Sequence, residues 1–222
     1  MLEAKAAAGD TLPQALFGGA FDPLHSGHVA LVQAAFAELP IDTLHIIPTG
    51  IAPHKPSAIA SNTQRVAWLQ AVFGSIANVH IDERELHRAT PSITIQTLRE
   101  LRAEYPHTPL IWVMGADSFT SLDTWHEWRE LFTLAHFAVA QRAGGCATLS
   151  TTLQAELAPR YTTQPTDLTT HLAGRVYRLQ AVLPAVSSTQ LRAQLCRDGV
   201  CDNAEWLPST VQGAILSHNP YF

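Results

Sequence analysis

Leu16-Phe17-Gly18-Gly19-Ala20-Phe21-Asp22-Pro23-Leu24-His25-Ser26-Gly27-His28 is the stretch on which the fold turns. Gln14-Ala15-Leu16-Phe17 is a short apolar run halted by Gly18-Gly19, which reads as a first strand ending in a glycine loop. After it, Val29, Val32, Phe36 and Leu39 recur at steps of three, four and three. That spacing predicts a helix beginning near His28 with these side chains on one face. A strand, a glycine loop and a helix in succession form the building unit of a parallel α/β sheet.

The alternation continues outward. Residues 44–48 read as a second strand, followed by a Pro-rich loop over 49–57. Ser61-x-x-Gln64 has the form of a capping box, and Val66, Leu69, Val72 and Phe73 carry a helical period to Gly74. Residues 79–82 predict a third strand. Residues 92–105 predict a helix that Pro106 ends, 110–115 a buried strand, 125–134 a helix and 137–140 a fifth strand. From Gly144 to about Ala173 the pattern dissolves into Thr, Gln and Ala, which reads as a loop-rich insertion with a short helix near 152–157. A last strand at 176–179 and helices at 189–196 and 209–217 close the chain.

The expected architecture is α/β: a Rossmann-like, doubly wound, mostly parallel sheet with helices on both faces and a small C-terminal helical portion. Residues 12–222 read as a single domain, and 1–11 as a short mobile N-terminal extension. Right-handed crossovers would set the loops after each strand along one edge, where such sheets bind ligands.

Composition removes several classes. A chain of 222 residues is one large domain or two small ones. Apolar residues are 46% and charged residues 15%, which excludes a disordered chain or a coiled coil. Fourteen Lys+Arg against nineteen Asp+Glu give −5, which argues against a nucleic-acid partner but not against a local basic pocket. Cys146, Cys196 and Cys201 are an odd set without a C-x-x-C pair, so a reduced, cytoplasmic setting with thiols buried as small apolar groups is expected. A zinc site on Cys196 and Cys201 is the weaker alternative. No apolar run approaches the ~20 residues of a membrane span, and the first residues lack the pattern of a secretory signal.

The chemistry concentrates in the opening stretch. Gly18-Gly19 let backbone approach a phosphate closely. Gly27 allows a tight entry into a helix whose N-terminus attracts anions. His25 and His28, three apart, can each donate to a phosphoryl oxygen. Alone, His25 reads as a surface loop residue and His28 as a helix cap. Together, after a strand and two glycines, they read as an anion site. A metal pair would need a third ligand, and none stands at a suitable spacing, so no metal site in the protein is expected.

Gly18 to His28 resembles the GGxFDPxHxGH signature of the nucleotidylyltransferase superfamily, and Ser187-Ser188-Thr189-Gln190-Leu191-Arg192 resembles its C-terminal ISSTxIR motif. Pro53-His54-Lys55, Asp82-Glu83-Arg84-Glu85-Leu86, Pro91-Ser92-Ile93-Thr94, Gly115-Ala116-Asp117-Ser118 and Thr124-Trp125-His126-Glu127 are similar to strings of the bacterial nicotinate-nucleotide adenylyltransferases. The resemblance runs from about Leu12 to Phe222, with one departure: Ile93 stands where that family commonly has Tyr.

The resemblance implies transfer of the adenylyl group of ATP to nicotinate mononucleotide, giving nicotinate adenine dinucleotide and pyrophosphate in NAD biosynthesis. It implies Mg²⁺ as cofactor with ATP, and a monomer or homodimer. It carries catalytic roles onto His25, His28, Lys55 and Arg192. It carries ATP or phosphate contacts onto Gly18, Gly19, Phe21, His54, Gly115, Asp117, Ser187, Ser188 and Thr189. Nicotinate-nucleotide contacts fall on Ala20, Thr94, Trp125, His126 and Arg142. Each secondary residue also has a plain structural reading. His54-Lys55 reads equally as a solvated loop, Asp117 as a helix cap, Trp125 as core, Thr94 as a helix-face hydroxyl and Arg142 as a rim salt bridge. Trp128 reads as packing and Asp22 as a loop-holding residue. Rival readings are a phosphopantetheine or nicotinamide mononucleotide adenylyltransferase, a cytidylyltransferase, a class I tRNA synthetase and a non-catalytic nucleotide sensor. His25 counts against the phosphopantetheine enzymes, which usually carry Thr there.

Overall fold

The structure is a computed structural model that describes residues 12–52, 58–142, 148–199, 201 and 203–221. Strands and helices alternate as β1 (Gln14–Gly19), α1 (Ser26–Glu38), β2 (Thr43–Pro48), α2 (Asn62–Phe73), β3 (Val79–Ile81), α3 (Thr94–Glu104), β4 (Leu110–Gly115), α4 (Ala116–Phe119), α5 (Trp128–Leu134), β5 (His136–Arg142), α6 (Thr151–Leu157), β6 (Tyr161–Thr162), α7 (Asp167–Thr170), β7 (Val176–Leu183), α8 (Ser188–Asp198) and α9 (Ser209–Ser217). The strands form one sheet in the order β3-β2-β1-β4-β5-β7-β6. β1 pairs with β4, β4 with β5, β5 with β7 and β6 with β7, all in parallel. The direction of winding reverses between β1 and β4, the position where doubly wound sheets bind ligands beyond their strand ends. The expected N-terminal extension at 1–11 lies outside the described residues.

Contacts divide the chain into two units. The first is Met1–Phe17, Leu31–Leu44 and Ile93–Leu183. Its β4 is buried from Leu110 to Met114, because a central parallel strand meets neighbours on both edges and helices on both faces. Leu98 and Leu101 of α3 and Leu131 and Phe132 of α5 are buried in this unit as well. Arg102 binds this region through four backbone carbonyls, those of Tyr105, Thr108, Leu134 and Leu172, at 2.8, 2.7, 2.7 and 3.0 Å. Burial pulls its pKa down, yet a guanidinium stays charged, so it satisfies carbonyls that the ends of α3 and α5 leave open. Glu38 likewise accepts from the N–H groups of Gln180 and Ala181 at 2.6 and 2.9 Å.

Two expectations change in this unit. The helix expected over 125–134 begins only at Trp128, because Glu127 takes a left-handed conformation with φ 50°. Trp125 and His126 therefore stand ahead of the helix. The segment read as a loop-rich insertion carries the expected short helix as α6, but β6 and α7 as well, with Leu153, Leu157 and Leu168 buried, and β6 extends the sheet beside β7. A two-residue strand and a four-residue helix are too short to show a period.

The second unit is Gly18–Ala30, His45–Ser92 and Pro184–Phe222. Ser61 and Gln64 form the expected capping box of α2. The buried face of α2 is Arg65, Trp68, Leu69 and Phe73, with Val66 and Val72 only half-buried. α9 packs on α2 and buries Val211 and Ile215. Cys196 is exposed and Cys201 half-buried, which corrects the expectation of burial for these two thiols, while Cys146 lies outside the described residues. Cys196 lies on the outer face of α8, whose buried residues are Leu191 and Leu195.

Candidate active site

The strand-to-helix loop is built from local necessities. Phe21 has φ 49°, a conformation that costs a bulky residue about 1–3 kcal/mol and persists only where packing enforces it. The packing is visible: its ring is buried, it meets His28 edge-on at 5.0 Å, and a Cβ on Gly19 would stand 3.0 Å from it. The Asp22–Pro23 peptide is cis. α1 begins at Ser26, two residues before the expected start, so His25 immediately precedes the helix and His28 lies in its first turn. A Cβ on Gly27 would come within 3.1 Å of the His25 ring, which explains a glycine inside a helix.

The two imidazoles stack at 3.7 Å between centroids, 16° from parallel. His25 is buried and His28 half-buried. The backbone N–H of His25 donates to Nδ1 of His28 at 3.2 Å. Nδ1 of His28 is thus an acceptor, so in the neutral ring the proton sits on Nε2, which is a donor.

The C-terminal motif is engaged with this loop. Ser187 caps α8 by accepting from Gln190 N–H at 3.2 Å. The Ser188 hydroxyl donates to the Pro23 carbonyl at 3.1 Å. Arg192 donates to the Asp22 carbonyl at 2.6 Å and to the Thr189 hydroxyl at 3.3 Å. Gly18, Gly19, Phe21, His25, His28, Ser187, Ser188, Thr189 and Arg192 all belong to the second unit, and so does exposed Ala20. His54 and Lys55 lie outside the described residues.

The remaining expected site residues belong to the first unit. Gly115 ends β4, and a Cβ there would meet nothing within 4 Å, so the protein's own packing does not demand glycine. Asp117 and Arg142 form an ion pair at 2.8 Å. Thr94 opens α3 and is half-buried. Trp125 is half-buried, with extended backbone after the 3₁₀ turn Leu122–Thr124. Exposed His126 pairs with Glu127 at 2.7 Å, and Arg99 binds Glu127 and Glu130. The Arg99 guanidinium bonded to it holds the Glu127 carboxyl below its usual range. Trp128 is buried, in keeping with a packing role.

Two residues near the loop escaped the sequence reading. Arg65 is fully buried and donates to the Ala20 carbonyl at 2.7 Å. The Tyr221 hydroxyl donates to Asp22 at 2.8 Å. A cation at 65 within the 65, 69, 73 stripe of α2 was a readable anomaly; nothing local marks Tyr221.

With this geometry in view, the comparisons with known proteins are specific. The cytidylyltransferase-like family model matches residues 16–194. A "Probable nicotinate-nucleotide adenylyltransferase" of Cronobacter sakazakii is 36% identical over 216 residues, 96% of this chain and 98% of the relative. One of the same name from Stenotrophomonas maltophilia is 38% identical over 216 residues, covering 92% and 95%. The chain belongs to the nicotinate-nucleotide adenylyltransferase family. In fold it is similar to the Plasmodium falciparum nicotinic acid mononucleotide adenylyltransferase solved with NaAD, at TM-score 0.69 and 15% identity over 94% of this chain and 97% of that one. The family's histidine signature and its C-terminal Ser-Ser-Thr string therefore meet here in one hydrogen-bonded cluster.

Proposed function

We propose that this chain transfers the adenylyl group of ATP to nicotinate mononucleotide, forming nicotinate adenine dinucleotide and pyrophosphate in NAD biosynthesis. The observation that carries the proposal is the stacked His25–His28 pair at the start of α1, with the His28 ring proton on Nε2. A phosphate oxygen of the mononucleotide attacks the α-phosphorus of ATP. The new P–O bond forms as the bond to the β-phosphate breaks, and pyrophosphate leaves with the electron pair. The attacking oxygen is already anionic, so no protein nucleophile is needed, and catalysis is positioning plus neutralisation of charge.

In this reading His25, His28, Lys55 and Arg192 counter the triphosphate charge. Gly18, Gly19 and the start of α8 at Ser188 and Thr189 offer close backbone approach and N–H donors. His54 and Phe21 line the same nucleotide, Gly115 leaves room for it, and Asp117 receives its ribose. Ala20, Thr94, Trp125, His126 and Arg142 are assigned to the nicotinate nucleotide, with backbone N–H groups near Trp125 for its carboxylate. When bound with ATP, Mg²⁺ would supply further positive charge against the phosphates, beside His25, His28, Lys55 and Arg192. Among the described residues no three His, Cys, Asp or Glu group as a metal cage. The exposed thiol of Cys196 supports a cytoplasmic setting.

Purified protein given Mg-ATP and nicotinate mononucleotide is expected to release pyrophosphate. His28→Ala is expected to lower kcat about 10²–10³-fold with the melting temperature nearly unchanged, the cost of losing one preorganised donor. A His28→Ala protein as fast as wild type would remove His28 from the mechanism.

A further inference from the structure

We infer that Asp22 is the hub that sets the geometry of the histidine loop, and that Tyr221, from beyond α9, is a positioning residue acting through it. The inference rests on the functional reading above but assigns residues that reading does not use.

Asp22 is 2% exposed and its carboxylate is filled from two separate parts of the chain. Oδ2 accepts from Ile59 N–H at 2.8 Å. Oδ1 accepts from Ala60 N–H at 3.1 Å and from the Tyr221 hydroxyl at 2.8 Å. Arg192 Nη1 donates to the Asp22 carbonyl at 2.6 Å and stands 3.9 Å from Oδ2. Arg65 approaches the same loop through the Ala20 carbonyl. Through its carboxylate Asp22 joins the histidine loop to the backbone just after the His54-Lys55 string and to Tyr221, and through its carbonyl it joins the helix carrying Arg192.

A buried carboxylate must be saturated with donors or it will draw in the nearest cation. That cation is Arg192, which the reaction needs for phosphate. By holding one lone pair of Oδ1, Tyr221 limits the pull of Asp22 on Arg192 and keeps that guanidinium on the backbone carbonyl. Burial and the Asp22 charge push the Tyr221 hydroxyl well above its ordinary pKa, so it remains a donor at every physiological pH. Without that hydroxyl, Asp22 would be under-satisfied, and the adjoining Pro23–His28 turn would loosen.

The test compares wild type, Tyr221→Phe, Asp22→Asn and the double variant in the full chain. For Tyr221→Phe the proposal expects kcat to fall about tenfold, with KM for nicotinate mononucleotide within twofold of wild type. It expects amide exchange over residues 18–28 to quicken about tenfold. In the Asp22→Asn background the same change should have much less effect, because the carboxylate charge whose pull on Arg192 Tyr221 offsets is already gone. A wild-type kcat for Tyr221→Phe, or full additivity with Asp22→Asn, would overturn the proposal. Lowered thermal stability with kcat unchanged would show a merely structural tyrosine and overturn it too. A wild-type protein releasing no pyrophosphate would defeat the functional reading instead. The exchange measurement would then decide by itself whether Tyr221 orders the loop.

Discussion

His28 and His136 show two uses of the same side chain. His28 is half-buried in the first turn of α1, stacked on a second imidazole. His136 is fully buried at the start of β5, where Nδ1 accepts from Arg175 N–H at 3.0 Å and Nε2 bonds the His171 carbonyl at 2.9 Å. Those partners require the neutral ring with its proton on Nε2. Burial, the largest cause, pushes its pKa down to about 4. The unfolded chain, with an ordinary histidine pKa near 6.5, binds this proton first as pH falls. This histidine therefore costs no stability above about pH 6.5, and its destabilisation grows down to about pH 4. Urea unfolding at pH 7.5 and 5 should show a loss on the order of 2 kcal/mol traceable to this residue. His136→Gln should be less stable at pH 7.5 but lose less between the two pH values. An equal loss in both proteins would contradict the assignment. The histidine pair was legible because its signal is local: strand, two glycines, then HxGH. His136 was not, because its partners stand 35 and 39 residues away.

At the scale of elements, capping was readable and burial less so. Ser61 and Gln64 form the reciprocal cap that their spacing predicts, with Gln64 N–H donating to Ser61 Oγ at 3.2 Å and Ser61 N–H to Gln64 Oε1 at 3.0 Å. Ser61→Ala should cost about 1 kcal/mol of unfolding free energy, measured by urea denaturation. A change within experimental error would mean that packing of α2 against α9 alone holds that end. The apolar period of α2 pointed to Val66 and Val72, yet the helix buries Arg65 and Trp68. A guanidinium with a carbonyl partner can enter a core, and no hydropathy pattern anticipates that. The helix expected from Trp125 starts at Trp128 for a similar reason. A left-handed Glu127 tied to Arg99 of α3 is a tertiary choice. β6 was invisible because two residues have no alternation; it exists because β7 offers an edge.

At the scale of the whole molecule, the net charge of −5 misleads if read as an average. The histidine pair, Arg65 and Arg192 are gathered around one loop, so an acidic chain can still receive polyanionic ATP. The alternating order of strands and helices was legible outside the segment 144–173, since each long element carries its own period. The ties that make the loop a site were not, because they join residues as far apart as Asp22 and Tyr221. The acceptor in the proposed reaction carries a nicotinate carboxylate, not a neutral amide. The most direct measurement is kcat/KM for nicotinate and nicotinamide mononucleotides, side by side with Mg-ATP. At least a tenfold preference for nicotinate is expected, about 1.4 kcal/mol of differential transition-state binding. Equal values for the two acceptors, or a preference for the amide, would contradict it.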